Sequence, residues 1–134
     1  MNDFRKIFPI LFLSLIMLSC NSEPIELSDH EWRVIDLSGA GTSKEKLRNL
    51  TLTFQEDQKI SGFAGCNDYR GGATYNREQI KFSTLYTDKE NCEDINLEKT
   101  YLSNLENSSN YTYAADKLVL FDDSGNILVE MEKK

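Results

Sequence analysis

The sequence is poor in the side chains that most often perform catalysis or bind metals. Its 134 residues include three cysteines and a single histidine, His30. No CxxC pair or cysteine–histidine cluster occurs, which argues against a zinc site. The motifs of serine hydrolases, P-loop proteins and zinc proteases are missing as well, and a cysteine nucleophile would depend on His30 as its base. We therefore predict that the protein is not an enzyme and has no catalytic residue, metal or cofactor.

Basic side chains are also in the minority. The chain has 15 lysines and arginines against 22 aspartates and glutamates, which gives a net charge of −7. Nucleic-acid binding depends on basic residues that neutralise phosphates, so we predict no nucleic-acid partner. The same acidic balance argues against an electrostatic attachment to anionic lipid.

The sequence has one long hydrophobic run, and it lies at the start of the chain. Arg5 and Lys6 precede the largely apolar residues 7–18. A membrane-spanning helix needs about 20 such residues, so this run is too short to cross a bilayer. A basic start followed by a short apolar run is typical of a secretory signal. We predict a signal peptide over residues 1–19.

The end of this run, Met17-Leu18-Ser19-Cys20, resembles the lipobox of bacterial lipoproteins, in which the cysteine is lipidated and becomes the first residue. We therefore expect a lipid on Cys20, a tether over residues 20–29 and one domain over residues 30–134. The lipid would hold the protein at a membrane of the bacterial cell envelope, in our interpretation the outer membrane. The alternative is an ordinary signal peptide that leaves Cys20 as a free thiol, which is a liability in an exported protein.

If Cys20 carries lipid, Cys66 and Cys92 remain as an even pair in an exported chain. Such a pair suggests a disulfide formed in an oxidising compartment. The bond would close a loop of about 27 residues, and the chain-entropy relation gives roughly 3.5 kcal/mol of stabilisation for that length. The alternative is two buried thiols that act as small apolar side chains.

Alternating apolar and polar residues predict short antiparallel strands. In the first strand Trp32 and Val34 face the core, and strict alternation places Asp36 on the same side. Turn-forming residues separate the strands that follow. The predicted strands lie at residues 30–37, 50–54, 59–65, 73–76, 79–85, 111–115, 117–121 and 127–132.

One stretch changes from the period of a strand to the period of a helix. Leu97, Tyr101 and Leu105 recur at helical spacing, which predicts a helix near residues 95–106, with Asp94 or Asn96 as its N-cap. The sequence therefore predicts a mainly β (α+β) fold. It is a small antiparallel curled sheet or partly open β-barrel of about seven or eight strands, with one helix inserted before the last three.

Glycines cluster in residues 60–72, ISGFAGCNDYRGG. They permit backbone angles that other residues resist, and asparagine, here Asn67, favours a tight turn. We interpret the stretch as a structural corner that joins two strands and turns Cys66 inward.

Taken in order, these residues resemble the META domain, also called HslJ-like, of bacterial envelope lipoproteins. The resemblance extends from residue 31 to the C-terminus. Two positions depart from the family pattern: Ala73 stands where a tyrosine is usual, and no methionine lies between Thr87 and Cys92. These departures suggest a local insertion. The corresponding positions are Trp32, Gly62, Gly65, Cys66, Asn67, Tyr69, Gly71, Cys92, Glu98, Leu102 and Leu105. Family members are linked with heat shock, novobiocin resistance and envelope integrity, and no enzymatic reaction is implied.

From this resemblance we expect a monomeric, non-catalytic, lipid-anchored envelope protein involved in stress tolerance or envelope integrity. Its partner would be an unknown envelope protein or a small hydrophobic ligand. The alternative is a small β-barrel binding module that holds a hydrophobic ligand or inhibits a secreted enzyme such as a lysozyme, since an acidic protein suits a basic partner.

Two further groups of residues have simpler interpretations. The acidic residues Asp88, Glu90, Glu93 and Asp94 lack the ligand spacing and mid-loop glycine of a calcium loop, and we interpret them as a solvated loop. Tyr111 and Tyr113 share a strand face, and we assign them to sheet packing because tyrosine is common in strands.

Overall fold

The computed structural model describes residues 27–28, 30–88 and 90–134. The predicted signal peptide, the lipidation site Cys20 and most of the predicted tether lie outside these residues. Leu27, within the predicted tether, is described, and its side chain is fully buried. Of the described helices, neither has the length and apolar character that a membrane span requires.

In the described part of the chain, short antiparallel strands form one curved sheet, and two helices accompany it. Eight strands follow the order β5-β4-β3-β2-β1-β9-β8-β7, and β6 pairs with β4 beside β5. The strands are β1 (Glu31–Leu37), β2 (Thr51–Phe54), β3 (Lys59–Phe63), β4 (Asp68–Tyr75), β5 (Ile80–Phe82), β6 (Tyr86–Thr87), β7 (Asn110–Ala114), β8 (Lys117–Phe121) and β9 (Ile127–Lys133). The helices are α1 (Lys44–Leu47) and α2 (Ile95–Glu106).

The two outer strands of this sheet meet, which makes it a nearly closed barrel. The Ile80 N–H donates to the Ser109 carbonyl at 3.1 Å, and the Tyr111 N–H donates to the Glu78 carbonyl at 2.9 Å. This seam leaves little of the sheet edge unpaired, and unpaired edges invite aggregation. The predicted fold, a partly open antiparallel barrel with one helix before the last three strands, is confirmed.

Helix α2 covers one end of the barrel, which we call the helix end. Its predicted stripe of Leu97, Tyr101 and Leu105 is buried. Asp94 occupies the N-cap position but makes no capping bond. Its carboxylate instead accepts a hydrogen bond from Lys46 Nζ at 2.7 Å, which connects α2 to α1. The bounds of α2 are those that the apolar period predicts.

A bulge in β1 overturns the prediction for Asp36. The register of β1 against β9 shifts between Val34 and Asp36. Because a bulge adds one residue to a strand, the side chains beyond it change sides. Trp32 and Val34 face the core as predicted, whereas Asp36 is exposed and Leu37 is buried. The bulge therefore buries an apolar side chain and leaves the carboxylate in water.

The barrel end opposite α2 is lined by aromatic rings, and we call it the aromatic end. Two edge-to-face ring contacts lie there. The ring centroids of Trp32 and Tyr113 are 5.7 Å apart, and those of Phe54 and Tyr75 are 5.5 Å apart. Trp32 is fully buried, as predicted, and its indole N–H donates to the Leu27 carbonyl at 3.2 Å. The aromatic end comprises His30, Trp32, Phe54, Tyr75, Tyr111 and Tyr113.

The turn between β2 and β3 holds two residues in an unfavourable backbone conformation. Asp57 and Gln58 have φ values of 58° and 60°, and the Lys59 N–H donates to the Glu56 carbonyl. This is the geometry of a type I′ turn, which favours glycine at its third residue, here Gln58. The left-handed conformation costs an L-residue roughly 1 kcal/mol or more.

We therefore predict that Gln58→Gly stabilises the protein by roughly 0.5–1 kcal/mol, since glycine enters this conformation without a Cβ clash. Urea unfolding monitored by circular dichroism measures the change. Glu56→Gly, at the first position of the same turn and without positive φ, is the control and should give no gain. Equal midpoints for the wild type and Gln58→Gly would contradict the assignment of strain.

Candidate functional site

The predicted corner is a tight connection between β3 and β4 at residues 64–67. The Ala64 N–H donates to the Asn67 carbonyl at 2.9 Å and closes it. Gly65 has φ of 100°, and an added Cβ would lie 3.1 Å from Leu50 and 3.5 Å from Leu97. The corner is shorter than the sequence predicts, because Gly62 and Gly71 lie in paired strands instead.

A disulfide links the corner to the loop that precedes α2. Cys66 and Cys92 are bonded, with Cα atoms 5.9 Å apart, a usual separation for a disulfide. The pairing predicted from the sequence is therefore present, and the alternative of two free buried thiols is not. Cys66 is half-buried and Cys92 is exposed, so the prediction that the corner turns Cys66 inward holds only in part.

Asn67 connects the same corner to α2 through a buried carboxyl group. Its backbone N–H donates to Glu98 Oε2 at 2.8 Å, and its side-chain amide lies 3.1 Å from both Glu98 oxygens. The amide also donates to the Glu90 carbonyl at 3.0 Å, and its oxygen accepts from the Glu90 N–H at 3.3 Å. Both side chains are buried, with Asn67 4% and Glu98 3% exposed. One asparagine therefore joins the corner, the cysteine-bearing loop and the helix.

Below this network, two buried tyrosines share one backbone acceptor. The hydroxyl oxygens of Tyr69 and Tyr101 lie 2.7 and 2.9 Å from the Thr51 carbonyl oxygen and 3.2 Å from each other. Burial raises the pKa of both phenols, well above the usual value for Tyr69. A Cβ on Gly62 would overlap both the Thr51 carbonyl and the Tyr69 ring, so glycine is required for the tyrosine to reach its acceptor.

The other candidate residues lie away from this corner. Trp32 belongs to the aromatic end, and Gly71 pairs with Ile60 between β3 and β4. His30 packs against Trp32 with ring centroids 6.5 Å apart. It therefore belongs to the other end of the barrel from the cysteines, where it could not serve Cys66 as a base.

The acidic loop gives no sign of a metal centre. Among residues 27–28, 30–88 and 90–134, no group of three or more histidine, cysteine or acidic side chains has the geometry to hold an ion. Asp94 pairs with Lys46, and the Glu90 backbone binds Asn67.

A surface cleft of about 930 Å³ lies at the seam, outside the barrel interior. It runs between the β4–β5 hairpin, the C-terminal end of α2 and the turn between β8 and β9. Glu106, Asp122 and Asp123 contribute carboxylates, whereas Lys81 contributes one positive charge. Hydrogen bonds from Asn126 and neighbouring backbone N–H groups lower the pKa of Asp122. The cleft is therefore a mixed surface with more acidic than basic side chains, and Tyr75, Ile80 and Leu128 supply its apolar part.

The sequence places Glu98 in the helix but does not reveal its partner. The signal that Glu98 is buried is its position in the helix. It lies three residues before Tyr101, on the stripe of apolar residues. Nothing in the strand pattern indicates that Thr51 supplies the acceptor for Tyr69 and Tyr101, because that contact joins residues 18 and 50 positions apart.

Comparison with known proteins identifies the family. The model of the META domain matches residues 25–134. The chain belongs to the META domain family. The disulfide corner, with its buried asparagine–glutamate pair, thus lies within the META domain of this chain. No curated protein matches the sequence.

Solved structures share the fold of this META domain at low sequence identity. A DUF4847 family protein from Bacteroides vulgatus ATCC 8482 has a TM-score of 0.63 at 12% identity, covering 79% of this chain and 93% of its own. A protein from Burkholderia xenovorans has a TM-score of 0.61 at 21% identity, covering 81% of this chain and 83% of its own. At these identities the likeness concerns the fold alone.

We predict that removing the disulfide with Cys66→Ala and Cys92→Ala lowers the free energy of unfolding by roughly 2–4 kcal/mol, because the unfolded chain regains the freedom of the closed loop. Urea unfolding followed by Trp32 fluorescence measures the loss. Chemical reduction of the wild type should give the same midpoint as the double variant. An unchanged midpoint in both would show that the bond contributes nothing to stability.

We also predict alkaline destabilisation caused by Tyr69 and Tyr101. Their folded-state pKa values lie above those of the unfolded chain. The fold therefore keeps its full stability below about pH 10 and loses it progressively above, as the unfolded phenols ionise first. Tyr69→Phe and Tyr101→Phe should each flatten the loss of unfolding free energy above that pH. Tyr86→Phe, with the Tyr86 side chain 59% exposed, is the control and should keep the wild-type slope.

Proposed function

We propose that this META domain protein is a non-catalytic, lipid-anchored component of the bacterial cell envelope, which acts by binding and supports envelope integrity under stress. The observation that carries the proposal is that the polar groups of the corner are all engaged in holding the fold together. Cys66 is bonded to Cys92, and Glu98 is buried against Asn67. The lipobox-like sequence before Cys20 supports the anchor.

Packing of the barrel interior favours binding at the surface over a ligand held inside. Large side chains from the strands and α2 occupy the interior, and Trp32, Leu52, Tyr101 and Leu118 are each fully buried. Barrels that carry an internal ligand keep an enclosed cavity among such residues. The surface cleft at the seam is thus the better candidate for contact with an envelope partner.

Loss of the gene in the source bacterium should reduce survival after heat shock or novobiocin treatment, and the wild-type chain should restore it. Cys20→Ser tests the anchor: that variant should move from the membrane to the soluble fraction and fail to restore survival. The variant with Cys66→Ala and Cys92→Ala keeps Cys20, so reduced survival in that variant reports on the fold and not on the anchor. Full rescue by Cys20→Ser, or a wild-type chain found in the soluble fraction, would contradict an anchored function.

A second candidate function is inhibition of a basic secreted enzyme such as a lysozyme. The acidic seam cleft, with Glu106, Asp122 and Asp123, favours this alternative because opposite charges promote association. Purified protein should then slow cell-wall lysis by a basic lysozyme, and Asp122→Asn with Asp123→Asn should weaken the effect. Unchanged lysis at a large excess of the protein would exclude that activity for the lysozyme used.

A further inference from the structure

The aromatic end is also where the chain leaves the described structure. Leu27 lies against Trp32, and Ser28 pairs with Phe54, the last residue of β2. Leu27 lies seven positions after Cys20, and seven fully extended steps of the chain span at most about 25 Å. A lipid on Cys20 would therefore hold the aromatic end of the barrel within that distance of the bilayer.

We propose that the aromatic end rests on the lipid surface that holds Cys20, with its exposed rings at the level of the headgroups and the helix end pointing away. This orientation rests on the lipid anchor proposed above. It assigns the aromatic end to lipid and leaves the helix end free for a partner. Because Tyr75 also lines the seam cleft, one rim of that cleft would lie beside the lipid.

The exposed rings have the chemistry that a membrane interface favours. Tyr75 is 39% exposed although its ring packs on Phe54 at 5.5 Å and on Tyr111 at 6.3 Å. These contacts hold the ring in place, so little conformational freedom is lost when it meets the headgroups. Tyr113 and His30 are half-buried at the same end. Aromatic rings with a polar tip are enriched where an apolar layer meets water.

Charges of both signs lie at the aromatic end. Lys134 Nζ is 2.9 Å from Glu31 and Lys133 Nζ is 3.7 Å from Asp116, whereas Glu56 and Asp57 are exposed in the turn beside Ser28 and Tyr75. The Lys133 ammonium also lies 5.6 Å from the centre of the Tyr113 ring.

The helix end likewise carries exposed groups of both signs, with Glu90 and Glu93 near Cys92 and Lys44 and Lys99 on the two helices. Charge therefore does not select between the two ends, and the protein as a whole is too acidic to bind anionic lipid by charge. The orientation rests on the point where the chain leaves the barrel and on the aromatic rings.

Two matched tryptophan variants test the orientation in the full lipidated chain. Tyr75→Trp places an indole at the aromatic end, and Tyr86→Trp places one near the helix end, where Tyr86 pairs with Arg70. The probe is a vesicle of phosphatidylethanolamine and phosphatidylglycerol, with acyl chains brominated near the headgroup. We expect Tyr75→Trp to lose most of the emission of its added indole, and Tyr86→Trp to lose little. Equal quenching of both variants, or none in either, would overturn the proposal.

A second measurement needs no substitution. A water-soluble amine reagent should label the exposed Lys117 and Lys134 of the aromatic end more slowly on vesicles than in detergent. Lys44 and Lys99, exposed on the two helices, should react equally in both. Uniform labelling of the vesicle-bound chain would overturn the orientation while leaving the anchor intact. A chain that does not sediment with vesicles would overturn the anchor and the orientation together.

Discussion

The buried contact between Asn67 and Glu98 is the interaction on which the rest of the structure depends. A carboxyl group away from water is costly unless donors surround it, and here the backbone and side chain of a single asparagine supply them. Asn67 can do so only because the corner turns at Gly65. Among the described residues no buried side-chain nitrogen or oxygen lacks a hydrogen-bond partner. The network is therefore complete, and losing one member would leave a buried polar group unpaired at a cost of about 1–3 kcal/mol.

This contact explains why the corner needs a disulfide and a helix at the same place. The loop that carries Cys92 has few apolar side chains, so it contributes little to the core. Hydrogen bonds from Asn67 to the Glu90 backbone and the bond to Cys66 hold that loop against the barrel. The loop then leads directly into α2, whose apolar stripe covers the barrel end. Covalent and polar contacts thus position the helix, and apolar burial supplies the larger share of its stability.

The two ends of the barrel differ in chemistry because different kinds of interaction close them. At the helix end, a helix with a buried polar network closes the barrel, and its surroundings carry exposed acids. At the other end, aromatic rings and Leu27 fill the opening. In the orientation proposed above, the aromatic end faces the membrane and the helix end is left for a partner. Its interior is packed with side chains, so the surface is where binding would take place.

The sequence by itself missed β6 and placed the start of β4 at residue 73 instead of Asp68. It determined the order of the other strands, the bounds of α2 and the inward face of α2, and it suggested the disulfide pairing. These follow from local periods and from the count of cysteines, which need no knowledge of distant contacts. Tertiary structure alone decided the side on which Asp36 lies, since a bulge in β1 depends on pairing with β9. It likewise decided the partner of Glu98, the shared acceptor of Tyr69 and Tyr101, and the closure of the seam. Each of these joins residues far apart in the chain, and their positions relative to one another are set only once the barrel has closed.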